Sequence, residues 1–249
     1  MLIDAEGPIA RRRRASPRGR SLLLAALAVA VLLAVTSGSV FAYLSSLPGT
    51  GDAEARVRQI LAAHHGVAEP MPPPARLGSA VVAVEDEHFY ANVAVNILDG
   101  AGRAALAALQ TSSDPGGSTI GQQLAKTLYP HGEGLAGTLE EIGLAVELSV
   151  HYSKPRILNM YLNSVYYGHG YWGAVAAARG YFGRSPRRLG WGQAALLAGL
   201  PQAPSAYDPL RHPAPARQRQ AHVVDQLVDN RYLSPAAGRA ALREPLRLR

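Results

Sequence analysis

Residues Asp114–Thr127, DPGGSTIGQQLAKT, decide how the rest of the chain is read. A turn, Asp114-Pro115-Gly116-Gly117, runs straight into polar residues that open a helix. Thr119 with Gln122 three positions on forms a capping-box pair, and Leu124 and Leu128 supply an apolar face. The opening turn of a helix carries unsatisfied backbone N–H groups and the positive end of the macrodipole. Gly116 and Gly117 let a large anion come close to that backbone. Ser118, Thr119, Gln122 and Gln123 add neutral hydrogen-bonding groups, and Lys126 adds a charge about two turns in, at ~3.6 residues per turn. Hydroxyls, amides and one ammonium at a helix opening suit a phosphate or pyrophosphate. The plainer reading is an ordinary capped helix after a glycine turn, and the first few residues alone favour it.

The chain has 249 residues and no cysteine, so one catalytic domain with an appendage is expected and disulfides and thiolate metal sites are excluded. More than half of the net charge of +7 sits in the first twenty residues, where six arginines face only Asp4 and Glu6. The remainder is mildly basic, which argues against nucleic acid as the main partner. Lys126 and Lys154 are the only lysines in a chain that otherwise uses arginine. Retained ammoniums of this kind fit positions that need a compact charge, although two residues are also compatible with chance.

Residues 1–20 read as a basic tail. Ser21–Leu44 carries no charge and is long enough to cross a bilayer of ~30 Å. The preceding arginines predict a cytoplasmic N-terminus with the rest of the chain outside, in the cytoplasmic membrane. A cleaved signal peptide is the rival, but its apolar core would run only ~7–15 residues. Residues 45–75 form a juxtamembrane linker, with a short helix capped by Asp52 that buries Val57, Ile60 and Leu61 and ends at Gly66. Pro70-Met71-Pro72-Pro73-Pro74 then reads as a stiff connector.

Val81–Val84 is a short apolar run that periodicity cannot assign to helix or strand. It leads into Glu85, Asp86 and Glu87. A carboxylate at the end of an apolar segment is partly desolvated, which suits a base near neutral pH. A solvated acidic helix end is the plainer reading. Further on, Leu135–Val150 opens with Thr138 and Glu141 in capping-box spacing, and Ile142, Ala145, Val146 and Ser149 follow at helical intervals. Ser153–Tyr167 is the clearest helix, with Ser153 as cap and Pro155 in the first turn. Ala174–Gly183 makes a second helix after a glycine-rich turn, and Trp191–Leu200 a compact apolar one stopped by Pro201. Tyr166, Tyr167 and Tyr171 suit a sugar groove or, better, core packing. One helix is expected around Val223, Val224, Leu227 and Val228, and another short one begins at Ser234-Pro235.

The string GGSTIGQQLAKT closely resembles the second motif of the family 51 glycosyltransferases. These peptidoglycan glycosyltransferases are found alone or as the N-terminal module of bifunctional penicillin-binding proteins. The resemblance covers about Leu77–Arg231. Glu85-Asp86-x-x-Phe89 matches the opening of the first motif, whose leading glutamate is the general base, a role that would fall on Glu85. Glu141 falls on the glutamate that ends the third motif, with Glu140 as the alternative acid. Arg184 stands where the family has the lysine of Tyr-Phe-Gly-Lys, and LLAGLPQAPSAYDP matches the closing block. There are departures. Asn92 and Ala94 replace the first motif's histidine and glycine. Gly137 and Thr138 replace the Arg-Lys that opens the third, leaving Lys126, with Arg103, Lys154 or Arg184, to neutralise a diphosphate.

The resemblance, with the helical periodicity, implies a mainly α, two-lobed, lysozyme-like domain over residues 76–232 with a tail at 233–249. A transpeptidase domain is absent from the chain and is a possible partner. The implied reaction polymerises lipid II, an undecaprenyl-pyrophosphate-linked disaccharide-pentapeptide, into β-1,4 glycan with inversion. Its implied site comprises Glu85 and Glu141 for catalysis. Asp86, Phe89, Asn92, Gly117, Ser118, Thr119, Gln122, Gln123, Lys126, Lys154 and Arg184 would bind substrate. No cofactor is required, although Mg²⁺ or Mn²⁺ between Glu141 and the phosphates is compatible, and no ligand cluster demands a metal. Two rivals remain: a lysozyme-like lytic enzyme, which has no diphosphate to hold, and a lipid II- or divisome-binding relative without turnover.

Overall fold

A computed structural model describes residues 38, 39, 42, 43, 46–91, 118–130, 132 and 134–249. Met1–Leu47 and Pro48–Arg249 are two compact units, and the elements named below belong to the second. Among the described residues the secondary structure is helical, with no strand and one isolated bridge between Tyr166 and Trp172. This fits the lysozyme-like expectation at the level of a mainly α domain.

Helix α1 spans Ala53–Ala63 and buries Val57 and Leu61. Asp52 stands at its N-cap without a side-chain cap bond. Its carboxylate accepts instead from the Tyr129 hydroxyl at 2.8 Å and from Arg56 Nε at 2.8 Å. The proline connector leads to α2, Ala75–Glu85, which settles the Val81–Val84 ambiguity in favour of helix. Leu77, Ala80, Val81 and Val82 face the interior, and Glu85 is the last helical residue. The connector is strapped to the body from elsewhere in the chain. Arg187 Nε lies 2.7 Å from Oε1 of the buried Glu69, and its Nη2 donates to the carbonyls of Pro70 and Pro72.

Helix α3, Ile120–Leu128, carries the expected capping box: Gln122 N–H donates to Thr119 Oγ1, and Thr119 N–H donates to Gln122 Oε1. Helix α4 runs from Gly134 to His151, one residue longer than expected at each end. Thr138 therefore lies inside the helix, where its hydroxyl donates to the Gly134 carbonyl four residues back, and the anticipated Thr138–Glu141 capping box does not form. Helix α5, Lys154–Ser164, follows Ser153 at its N-cap, with Pro155 in the first turn. Helix α6, Gly173–Phe182, ends at Gly183, whose φ of 64° is the left-handed cap conformation.

Helix α7, Trp191–Gly199, is buried from Gly192 onward, Gln193 included, and its other buried residues are apolar. It is wedged between α2 and α8, the latter spanning Pro213–Asp229, and those two also touch each other. A second group packs α3 against α4 and α5, with α1 and α6 resting on α5. Helix α9, Pro235–Arg243, is capped by Ser234 Oγ, which accepts from Ala237 N–H, and leans on α8 and α7. No described helix is long and apolar enough to cross a membrane. The expected basic tail and most of the Ser21–Leu44 span lie outside the described residues.

Candidate active site

Two hydrogen bonds join the end of α2 to the start of α3. Asp86, directly after the last turn of α2, is 6% exposed, and its Oδ2 accepts from the Ile120 N–H at 3.2 Å. That N–H is one of the opening donors a helix cannot satisfy internally, so a carboxylate from another element caps it. One residue earlier, Glu85 Oε2 accepts from Gln123 Nε2 at 2.8 Å. The same amide nitrogen reaches the Ser118 carbonyl at 3.3 Å, and Gln123 Oε1 accepts from the hydroxyl of the buried Tyr161 on α5 at 2.9 Å. Three helices thus fix the rotamer of Gln123, and Gln123 fixes one oxygen of Glu85. A side chain locked by its neighbours presents its reactive atom without further ordering.

The other oxygen faces α8. Glu85 Oε1 lies 3.6 Å from Arg219 Nη2, and the two side chains are 11% and 10% exposed. Arg219 is itself held by a bond from Nε to the Gly199 carbonyl at 3.2 Å. Gly199 makes room for it: a Cβ there would stand 2.7 Å from Arg219 Cγ. With both groups nearly buried, each charge offsets part of the other's desolvation cost.

Glu85, Ser118, Gln123, Lys126 and Glu141 line one cleft of about 730 Å³ together with Arg219. Its size is that of a ligand-binding cleft. The exposed Lys126 extends from the second turn of α3, while Glu141 lies on α4. Tyr161 and His222 complete that part of the wall. At another part of the lining His64 stacks on Trp172, ring centroids 4.4 Å apart and 6° from parallel, and Tyr166 tilts against Trp172 at 5.1 Å. Aromatic faces of this kind suit the apolar faces of sugar rings.

The expected site residues divide accordingly. Glu85, Ser118, Gln123, Lys126 and Glu141 meet in the cleft. Thr119 and Gln122 are engaged in each other's cap, and Gln122 is 6% exposed, so its amide serves the helix rather than the cavity. Asp86 and Phe89 are interior, and Lys154 lies with Nζ 4.8 Å from the centre of the Phe89 ring rather than in the cleft lining. Desolvation lowers the Lys154 pKa, against the opposing pull of Asp86. Arg184 lines a different cleft, at the far end of α6. Asn92 and Gly117 lie outside the described residues, as does Arg103. Of the three tyrosines, Tyr167 is fully buried, Tyr171 packs edge-on against Tyr181, and only Tyr166 reaches the cleft. Among the described residues no group of three or more His, Asp or Glu side chains is arranged to hold a metal ion.

Arg219 was invisible to motif reading. Its one signal is positional: on α8 it adjoins Gln220 and precedes Val223 by four residues, both buried, so it borders the apolar stripe. A charged group at that border either snorkels outward or meets a buried partner.

A helical body thus brings a caged carboxylate and a capped helix opening to one cleft. The chain belongs to the transglycosylase family, the peptidoglycan glycosyltransferases, whose family profile matches residues 55–228. A candidate transglycosylase of Cupriavidus necator is 38% identical over 177 residues, which is 71% of this chain and 76% of that protein. Penicillin-binding protein 2a of Streptococcus pneumoniae is 40% identical over 158 residues, 63% of this chain and 21% of that one. Penicillin-binding protein 2D of Bacillus subtilis is 39% identical over 169 residues, 67% and 24% respectively. The chain therefore spans about a quarter or less of those penicillin-binding proteins.

Proposed function

We propose that the protein polymerises lipid II into β-1,4-linked glycan strands with release of undecaprenyl pyrophosphate, with Glu85 as the general base. The observation that carries this reading is the single cleft shared by Glu85 and the opening of α3. An acceptor hydroxyl must lose its proton as it attacks the donor sugar, and a diphosphate leaving group needs charge neutralisation more than protonation. Glu85 Oε2 and Oε1, oriented by Gln123 and Arg219, meet the first need. Lys126, with Ser118 beside it in the lining, meets the second, since the Ile120 and Gln122 N–H groups of the α3 opening are already taken by Asp86 and Thr119. Attack from the face opposite the leaving group inverts the donor linkage in one step.

Glu141 shares the cleft and either orients the donor or positions a Mg²⁺ or Mn²⁺ ion on its phosphates. Adding each cation to metal-stripped protein separates these roles by whether rate depends on it. In place of the third motif's missing Arg-Lys pair, the described Lys and Arg residues of the cleft lining are Lys126, expected from the sequence, and Arg219, which was not. In this proposal Ser21–Leu44 anchors residues 76–232 at the outer face of the cytoplasmic membrane, next to the bilayer that holds the donor's lipid tail. A transpeptidase acting on the same strands is the natural partner.

The test is a gel assay with labelled lipid II, with and without moenomycin. A ladder of polymer that moenomycin suppresses is expected. Binding without polymer would instead indicate the non-catalytic reading, and cleavage of preformed glycan the lytic one.

A further inference from the structure

Arg179, Gly183, Arg184, Ser185, Arg188 and Arg249 line a second cleft, of about 850 Å³, which shares no residue with the one around Glu85. All four arginines are exposed. Among the described residues none of them forms an ion pair, and none donates a side-chain hydrogen bond. Their neighbour Arg187 behaves differently: it turns to the buried Glu69 and the proline connector. The Pro186–Arg188 turn thus sends one arginine to an internal acid and the next into the cleft.

Two separate segments build this arrangement. Gly183, at φ 64°, ends α6, and a Cβ there would stand 2.2 Å from Arg249 Cζ, so the guanidinium lies directly over the glycine. The Arg249 backbone N–H donates to the Tyr181 carbonyl at 3.0 Å, which pins that segment beside the helix end. Four like charges gathered round one cleft repel one another, and no described carboxylate side chain within ion-pair distance offsets them. A ligand that brings negative charge does. The planar guanidinium fork pairs bidentately with phosphate oxygens, more strongly than a point charge does. The cleft is larger than a bare phosphate requires and accommodates the ester's substituent.

We propose that this cleft binds a phosphate-bearing ligand, either an anionic lipid headgroup or a soluble phosphate ester. It lies at the opposite end of α6 from Trp172, a helix of ten residues and so ~15 Å long. It is therefore a second anion site, independent of the α3 opening and of the glycosyl-transfer reading.

The test uses the full chain carrying Lys126→Ala, so that the α3 opening does not contribute. Isothermal titration with inorganic pyrophosphate, glycerol phosphate and monomeric dihexanoyl phosphatidylglycerol is compared between that protein and one also carrying Arg179→Gln, Arg184→Gln and Arg188→Gln. Circular dichroism verifies that the variant is folded. Saturable binding that weakens at least ~tenfold in the glutamine variant, and recovers in part with lysine at the same three positions, is expected. Tighter binding of the phosphatidylglycerol than of glycerol phosphate assigns the site to a lipid headgroup, and the reverse or equality to a soluble ester. Equal affinity in the arginine and glutamine proteins, or no saturable binding of any of the three probes, overturns the proposal.

Discussion

Arg219 Nη2 stands 3.6 Å from Glu85 Oε1, with both side chains about nine-tenths buried. Removing one partner of such a pair leaves the other charge desolvated and uncompensated. Arg219→Ala is expected to cost about 3 kcal/mol, the low end of the usual range because some water still reaches both groups. Adding Glu85→Gln should recover part of that loss, since the amide carries no charge. Urea melts of the two single variants and the double variant give the coupling; a purely additive result removes the pair from the stability of the fold.

Glu85→Gln alone keeps the shape of the side chain and its contact with Gln123 while removing the proton acceptor. Polymer formation from labelled lipid II should fall by about 10²- to 10⁴-fold, with donor binding little changed. Activity near that of the parent would take Glu85 out of the base role.

Lys126→Ala touches an exposed residue on the second turn of α3, so stability should stay within about 0.5 kcal/mol. Donor affinity, read by competition with a lipid pyrophosphate, should drop about tenfold or more. Unchanged affinity would show that the α3 opening does not hold the diphosphate.

Tyr161→Phe removes the hydroxyl that donates to Gln123 Oε1 at 2.9 Å. The stability cost should be about 1 kcal/mol. Turnover should fall further than that figure implies, because the amide that orients Glu85 can then flip. A variant with full turnover and reduced stability would leave Tyr161 a packing residue only.

Asp52 joins α1 to the end of α3. Burial raises its pKa, but the Tyr129 hydroxyl and Arg56 outweigh that effect and bring it below the ordinary 3.8. A depressed carboxylate stabilises the folded state above its unfolded pKa and loses that contribution as pH falls through its folded one. The stability gap between the parent and Asp52→Asn should therefore be constant near neutrality and shrink below about pH 4. A gap that does not change between pH 7 and pH 3 would contradict this.

The parts of this structure readable from sequence are those set by neighbours a few residues apart. The Thr119–Gln122 box, the Ser153-x-Pro155 opening of α5 and the Gly183 stop of α6 all formed where local rules put them. Val81–Val84 could not be assigned because a four-residue apolar run fits either element, and only packing against α7 and α8 selects the helix. Thr138 misled because a capping pattern also occurs within a helix that begins a turn earlier. Arg184 and Lys154 were placed in the site by register alone, although one lies beyond the far end of α6 and the other covers Phe89. Arg219 was missed for the converse reason: its partner is on α2, and nothing near it in the chain announces the pairing.

Gly199 acts through what it lacks. It sits at the end of α7, and the stem of Arg219 lies 2.7 Å from where a methyl group would stand. The interval between the Glu85 carboxylate and its guanidinium partner is therefore gauged by a hydrogen atom on a residue outside the cleft lining. Evolution or design could retune the chemistry from inside the oily centre of the molecule, leaving every residue of the cleft lining as it stands.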